Sequence, residues 1–140
     1  MQDISTILSD FFDSYSPSLS GNLRENRLER MNLLLERIGN PEKVLKMIHI
    51  AGSKGKGTTA SFMSWIMNQY HMKTGLYLSP HVFDVRERFT LGTEFFPQSL
   101  YKSTLKELKK KIEGFTHPSE LGPDKPNSFE LYTAYAYILL

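Results

Sequence analysis

Cysteine is absent from this sequence of 140 residues, which excludes disulfides, thiolate metal sites and cysteine nucleophiles together and leans toward a reducing compartment. Charge of one sign is also scarce in excess. Lys plus Arg number 17 against 15 Asp plus Glu, a net of +2, too small to build a nucleic-acid-binding face, so any anion recognition must be local. Long apolar runs are missing as well: the longest, Ala134 to Leu140, has seven residues, where a membrane span needs about 20. Met1 to Asp10 carries acids and no apolar stretch, and so fits neither a signal nor a transit peptide. The expectation is a soluble cytoplasmic protein with neither nucleic acid nor membrane among its partners. What remains is ordinary globular composition, 40% hydrophobic, 12% aromatic and 23% charged, enough for one compact domain at most.

Leu28, Met31, Leu35 and Ile38 recur at helical spacing and stop at Gly39-Asn40-Pro41, which predicts a packing helix. Val44 to Ala51 is apolar and β-branched and predicts a strand that runs straight into Gly52-Ser53-Lys54-Gly55-Lys56-Gly57-Thr58-Thr59. Where the glycines finish, Phe62, Trp65, Ile66 and Tyr70 predict a helix from Thr58 to about His71. A second strand, Gly75 to Leu78, ends at Ser79-Pro80-His81. Two strands about one helix form a βαβ unit and imply a parallel sheet. Phe89 to Phe96, with Gly92 in its centre, predicts a small hairpin, and Tyr101, Leu105, Leu108 and Ile112 predict another amphipathic helix. Lys106, Lys109, Lys110 and Lys111 would form its solvated face. After a Pro- and Gly-containing loop from Gly114 to Ser128, Phe129 to Leu140 is apolar on every side apart from Glu130 and predicts a buried helix. Trp65 and the tyrosines 132, 135 and 137 are expected in the core.

A strand feeding a glycine-rich turn that opens a helix is a physical recipe for holding phosphate. Glycines let backbone N–H groups converge on an anion, and the helix N-terminus adds the positive end of its dipole. Lys56 would supply a point charge near the terminal phosphates, and the Thr58 hydroxyl is placed to hold Mg²⁺. The strict Walker pattern is not met, because Ile50 stands where its first glycine belongs and Gly57 follows the lysine where a hydroxyl belongs. The plainer alternative is a surface turn with Thr58 as a helix N-cap. Three glycines within six residues exceed what a cap needs.

The stretch Ala51 to Thr59 resembles the variant phosphate loop of the folylpolyglutamate synthase and dihydrofolate synthase family, within the Mur ligase superfamily. Four further segments resemble the same family in the same order: Leu28-Glu29-Arg30-Met31 with Leu35 to Pro41, Gly75 to Val82 with its Ser-Pro-His loop, Glu87-Arg88-Phe89, and Ser128-Phe129-Glu130-Leu131. The resemblance implies an α/β fold with a P-loop-type parallel sheet and flanking helices, the Mur ligase ATP-binding domain, here incomplete. It implies that residues 1–140 are the N-terminal part of that domain and that the C-terminal glutamate ligase domain is absent. The family's later metal-binding histidine, carbamylated lysine and base-binding residues would lie beyond Leu140.

The activity so implied is ATP-dependent addition of L-glutamate to a folate or dihydropteroate carboxylate through an acyl phosphate, by a monomer in the parent family. A carboxylate is a poor electrophile, so ATP supplies the leaving group, and charge on the transferring phosphoryl is neutralised by lysine and Mg²⁺. By resemblance Gly52, Ser53, Lys54, Gly55, Lys56, Gly57, Thr58 and Thr59 bind the nucleotide, with Lys56 catalytic, and Ser79 and Glu130 are Mg²⁺ ligands. Each of the last two has a plain alternative: Ser79 ends a strand before proline, and Glu130 sits in a first helical turn behind an N-cap Ser128. His81 reads as a hydrogen-bonded structural residue, and Arg86, Glu87 and Arg88 as a surface ion-pair cluster. Lys54 and Ser53 replace the family's usual asparagine and threonine, which makes the loop more basic, and Arg27 replaces a glycine near where related enzymes admit the pterin, so no pterin contacts are carried across. The alternatives are an inactive ATP-binding fragment and a Mur-type ligase of cell-wall precursors; the Ser-Pro-His loop and the separate Phe-Glu motif favour folate.

Overall fold

The computed structural model describes residues 3–15 and 26–140. Five helices and one small sheet follow in the order α1 (Ile4–Asp13), α2 (Arg27–Ile38), α3 (Lys56–Gln69), β1 (Gly75–Tyr77), β2 (Phe89–Leu91), β3 (Glu94–Phe95), α4 (Gln98–Ile112) and α5 (Ser128–Leu139). None of the described helices is long and apolar enough to cross a membrane.

α5 is the centre. Leu131, Tyr132, Ala134, Tyr135, Ala136 and Leu139 are buried, and α1, α2 and α4 all pack on this helix, which is why an almost uncharged segment is stable in water. Aromatic side chains fill the join between helices and sheet: the Phe12 ring stacks on Tyr132 at 4.0 Å, Phe89 lies 4.9 Å from Tyr135, and Tyr77 stacks on Phe89 at 5.7 Å. α1 is an element the acid-bearing start concealed. Its buried Ile4, Leu8, Phe11 and Phe12 stand at helical spacing behind the N-cap Asp3, whose carboxylate accepts from the Ser5 N–H.

α2 ends as expected, with Gly39 left-handed at φ 97° and its N–H returned to the last turn. Leu35 and Ile38 point inward as expected and Met31 packs against the core, while Arg30 and Leu34 are buried beside them and Leu28 is exposed. The Phe89 to Phe96 hairpin forms, with Gly92 at φ 61°.

The sheet departs from the expected parallel pairing. β1 pairs antiparallel with β2, Gly75 opposite Leu91 and Tyr77 opposite Phe89, and β2 pairs antiparallel with β3. Lys46 to Ala51 takes no regular structure, and Val44, Met47 and Ile48 are exposed. A strand is stabilised by ladder partners and by covered faces, and among the described residues nothing pairs with this segment. The same lack of cover overturns the expectation for Trp65. It is 51% exposed, Phe62 64%, and Ser64 is the one buried residue of α3.

Tyr101 ties the hairpin to the helices. Its buried hydroxyl donates to the Phe89 carbonyl at 2.6 Å and accepts from the Phe96 N–H at 3.2 Å, while its own carbonyl accepts from Tyr135 Oη at 3.0 Å. Tyr101→Phe keeps the ring and strands two buried backbone groups, so it should cost about 1–3 kcal/mol. Urea unfolding checks this; an unchanged midpoint would show that the hydroxyl contributes nothing.

Candidate functional site

The glycine loop opens α3 directly. Gly55, left-handed at φ 73°, is the N-cap, and it offers no side chain to the first turn. The helix therefore starts at Lys56, and Thr58 lies inside its first turn instead of capping it, which corrects the plainer reading. Neither an acid in the first turn nor a capping side chain takes up the leading N–H groups, and residues 51–59 are all exposed. Such an end presents oriented donors and the positive end of the dipole to solvent. Lys56 folds back over the loop, its Nζ donating to the Gly52 carbonyl at 2.6 Å.

A second group of expected residues gathers on the loop from Ser79 to Arg88, which follows β1. Arg88 Nη1 donates to Ser79 Oγ at 3.0 Å and Arg88 Nε to His81 Nδ1 at 2.8 Å, and the guanidinium carbon sits 4.1 Å from the centre of the Tyr132 ring. His81 is thus the hydrogen-bonded histidine that the sequence implies. The expected cluster of Arg86, Glu87 and Arg88 does not pair within itself. Glu87 instead accepts from the backbone N–H groups of Val82, Phe83 and Asp84 at 2.7, 3.1 and 3.0 Å, and these bonds, Val82 first, hold its carboxyl below the usual carboxylate range. These three bonds tie the loop to Glu87 although Phe83 is 94% exposed.

Arg86 turns the other way, onto Asp84. Asp84 Oδ2 accepts from Arg86 Nη2 at 2.6 Å, and Oδ1 accepts from the Arg86 N–H and from Ser5 Oγ of α1, each at 2.8 Å. The Arg86 side chain, ahead of the smaller backbone and Ser5 contributions, lowers the Asp84 carboxyl from 3.8 to about 2 against the opposing effect of burial. A depressed folded pKa gives stability that is present above the unfolded pKa and lost as pH falls through the folded one. Asp84→Asn should therefore be less stable than the parent at neutral pH, with the gap closing as pH falls from about 4 to about 2. Thermal unfolding across that range measures it, and a gap that does not change with pH would contradict it.

Glu130 stands at the third centre. It is 4% exposed, and the sequence missed its partners. Arg30 of α2, fully buried, donates from Nε to Oε1 at 2.8 Å and from Nη2 to Oε2 at 3.1 Å, and also donates from Nη1 to the Pro123 carbonyl and from Nη2 to the Lys125 carbonyl. Asn127, not Ser128, is the N-cap: its Oδ1 accepts from the Glu130 N–H and its N–H donates to Glu130 Oε2, both at 2.9 Å. His117 Nε2 lies 3.5 Å from Oε2 without a hydrogen bond. Burial, and then the Arg30 charge, push this imidazole below its ordinary pKa. The position of Arg30, at i, i+4 and i+8 with Leu34 and Ile38, was the available sign of its burial.

Three groups thus stand on one framework. Arg88, which holds Ser79, meets Tyr132, two residues from Glu130 on α5. Among the described residues, no hydrogen bond or ion pair joins residues 52–59 to Ser79 or Glu130, and no three or more His, Asp or Glu side chains gather as a metal site.

Comparison with known proteins bears on what this framework is. No family model matches the chain. Dihydrofolate synthetase of Saccharomyces cerevisiae is 30% identical over 110 residues, 79% of this chain and 24% of that protein. A folylpolyglutamate synthase of Arabidopsis thaliana is 33% identical over 125 residues, 84% of this chain and 20% of the relative. Among solved structures, the folylpolyglutamate synthase of Thermotoga maritima superimposes with a TM-score of 0.77 at 26% identity, covering 96% of this chain and 29% of that one. An FPGS–AMPPCP–folate complex gives a TM-score of 0.77 at 25% identity, with 96% and 31% covered. The chain spans about a quarter of the length of the curated relatives it matches. The α/β fold of these synthases superimposes on 96% of this chain, its helices around α5 and its small sheet. In sequence and in fold, the chain belongs to the folylpolyglutamate synthase and dihydrofolate synthase family.

Proposed function

We propose that this chain supplies the phosphate-holding part of a ligase that adds L-glutamate to a folate or dihydropteroate carboxylate through an acyl phosphate formed from ATP. On this reading residues 1–140 are the N-terminal part of the ATP-binding domain, in a cytoplasmic protein that works as a monomer. The observation that carries it is the start of α3, where Gly55 opens a helix with neither a capping side chain nor a first-turn acid, and Lys56 is its first residue. An anion at that place satisfies the free N–H groups and meets the dipole and the lysine together. The solved AMPPCP and folate complex of a relative gives the ligand classes.

Gly52 to Thr59 would wrap the triphosphate, with the Lys56 ammonium leaving the Gly52 carbonyl for a phosphate oxygen. Mg²⁺, when bound with the nucleotide, neutralises phosphate charge. The donors available suit it. Ser79 Oγ accepts one hydrogen bond and keeps a lone pair, Glu130 Oε1 likewise accepts from Arg30 Nε alone, and the Thr58 hydroxyl is exposed. Few hard oxygens, with waters and phosphate completing the shell, are what Mg²⁺ takes. The proposal assigns Ser79 and Glu130 as its protein ligands.

Two assays test the reading. The chain of 140 residues should bind Mg·AMPPCP in a calorimetric titration, and it should not on its own join glutamate to dihydropteroate or tetrahydrofolate. Absence of nucleotide binding would remove the phosphate-loop assignment. Glutamate addition by this chain alone would contradict its assignment as one part of the ligase.

A further inference from the structure

Arg88 holds two side chains of the Ser79 to Arg88 loop at once. Its main chain is anchored across the sheet edge, where its carbonyl accepts from the Leu78 N–H at 3.0 Å. Its side chain is fixed three ways, by Ser79 Oγ at 3.0 Å, His81 Nδ1 at 2.8 Å and the face of Tyr132 at 4.1 Å.

A guanidinium carries donors only and stays protonated in proteins. The imidazole nitrogen that meets it must therefore offer a lone pair, which leaves the ring proton on the other nitrogen. We propose that Arg88 is a positioning residue: it sets the Ser79 rotamer and, by donating to Nδ1, holds the His81 ring with its proton on Nε2, so that this N–H serves as a donor to an anionic oxygen of a carboxylate or phosphoryl group.

The surroundings support that use. Among the described residues Nε2 of His81 has no hydrogen-bond partner. The nearby acid, Glu87, is occupied by three backbone N–H groups and does not accept from the ring. A cation behind the ring and an unspent N–H in front suit a negatively charged oxygen. The sequence places Arg88 in a surface ion-pair cluster with Arg86 and Glu87; among the described residues it pairs with no acid. The donor role rests on the proposed function, whereas the tautomer does not.

Long-range ¹H–¹⁵N correlation on the ¹⁵N-histidine-labelled chain reads the two nitrogens separately and without ligand. The expected pattern for His81 is a bare Nδ1 and a protonated Nε2. Arg88→Met should give the averaged signals of a mixture, and Arg88→Lys, which still donates, should keep Nδ1 bare. A proton on Nδ1, on both nitrogens, or averaged signals in the parent chain would overturn the proposal, as would a folded Arg88→Met variant with unaltered signals. Adding Mg·AMPPCP or folate then separates the two sources of anion. The His81 Nε2–H signal should move with the one that supplies the oxygen, and a signal unmoved by both, while other amides report binding, overturns the donor role. A fixed tautomer with no amide shift from either ligand would instead contradict the proposed function and leave the positioning role of Arg88 standing.

Discussion

Arg30→Ala should destabilise the chain by about 3–5 kcal/mol, the cost of leaving one member of a buried ion pair without its partner. The side chains of Arg30 and Glu130 are 0% and 5% exposed, and their shortest contact is 2.8 Å. Removing the guanidinium leaves the Glu130 carboxylate with one backbone N–H and a neutral imidazole, and strips the Pro123 and Lys125 carbonyls of their donors. Small domains hold about 5–15 kcal/mol in all, so this is a large share of the total stability. The pair also joins α2, the loop before α5 and the first turn of α5, so the loss should be cooperative. Replacing both partners, Arg30→Met with Glu130→Leu, removes the two charges together and should recover part of the stability, with the Pro123 and Lys125 carbonyls and the Asn127 N–H still without their partners. Chemical unfolding of the parent and the two variants gives the comparison. A loss below about 1 kcal/mol for Arg30→Ala would mean that water reaches the carboxylate and that its burial does not govern the fold.

Lys56→Ala should weaken Mg·AMPPCP binding roughly 10- to 100-fold, the size expected for one charge-assisted hydrogen bond to an anion. It should leave stability almost unchanged, because the side chain is exposed, its one contact is to the Gly52 carbonyl, and alanine is a better helix former. Lys54→Ala is the control. Lys54 lies on the exposed flank of the loop and precedes the helix, so its loss should remove general attraction without a defined contact and cost only a few fold. Calorimetric titration distinguishes the two, and equal affinities for Lys56→Ala and the parent would end the role given to Lys56.

Periodicity carried α2 and α4, because each buries a stripe that sequence spacing reports, and α5 was legible because it is apolar on nearly every side. The glycine loop was legible for a different reason: left-handed Gly55 and the helix behind it are local consequences of local residues. Two kinds of feature escaped. One is pairing between distant segments. The spacing of Val44 to Ala51 and Gly75 to Leu78 is compatible with a parallel crossover, but strand pairing depends on which segment lies alongside, and Gly75 to Tyr77 meets Phe89 to Leu91. The other is buried charge. Arg30, a hundred residues from Glu130 in the chain, was hidden inside an apolar stripe, and Asn127 displaced Ser128 as the cap because its side chain and Glu130 bond reciprocally. Trp65 shows the converse. Its helical spacing with Phe62 and Ile66 describes a face but does not say whether anything covers it, and among the described residues nothing does.

The account turns on whether the loop from Gly52 to Thr59 is where nucleotide phosphate sits. Amide ¹H–¹⁵N spectra of the chain titrated with Mg·AMPPCP address this residue by residue. The largest shifts should fall on Gly55, Lys56, Gly57 and Thr58, whose N–H groups stand free at the start of α3, with the amides of α4 unmoved. Shifts confined to another surface, or none at saturating nucleotide, would contradict it.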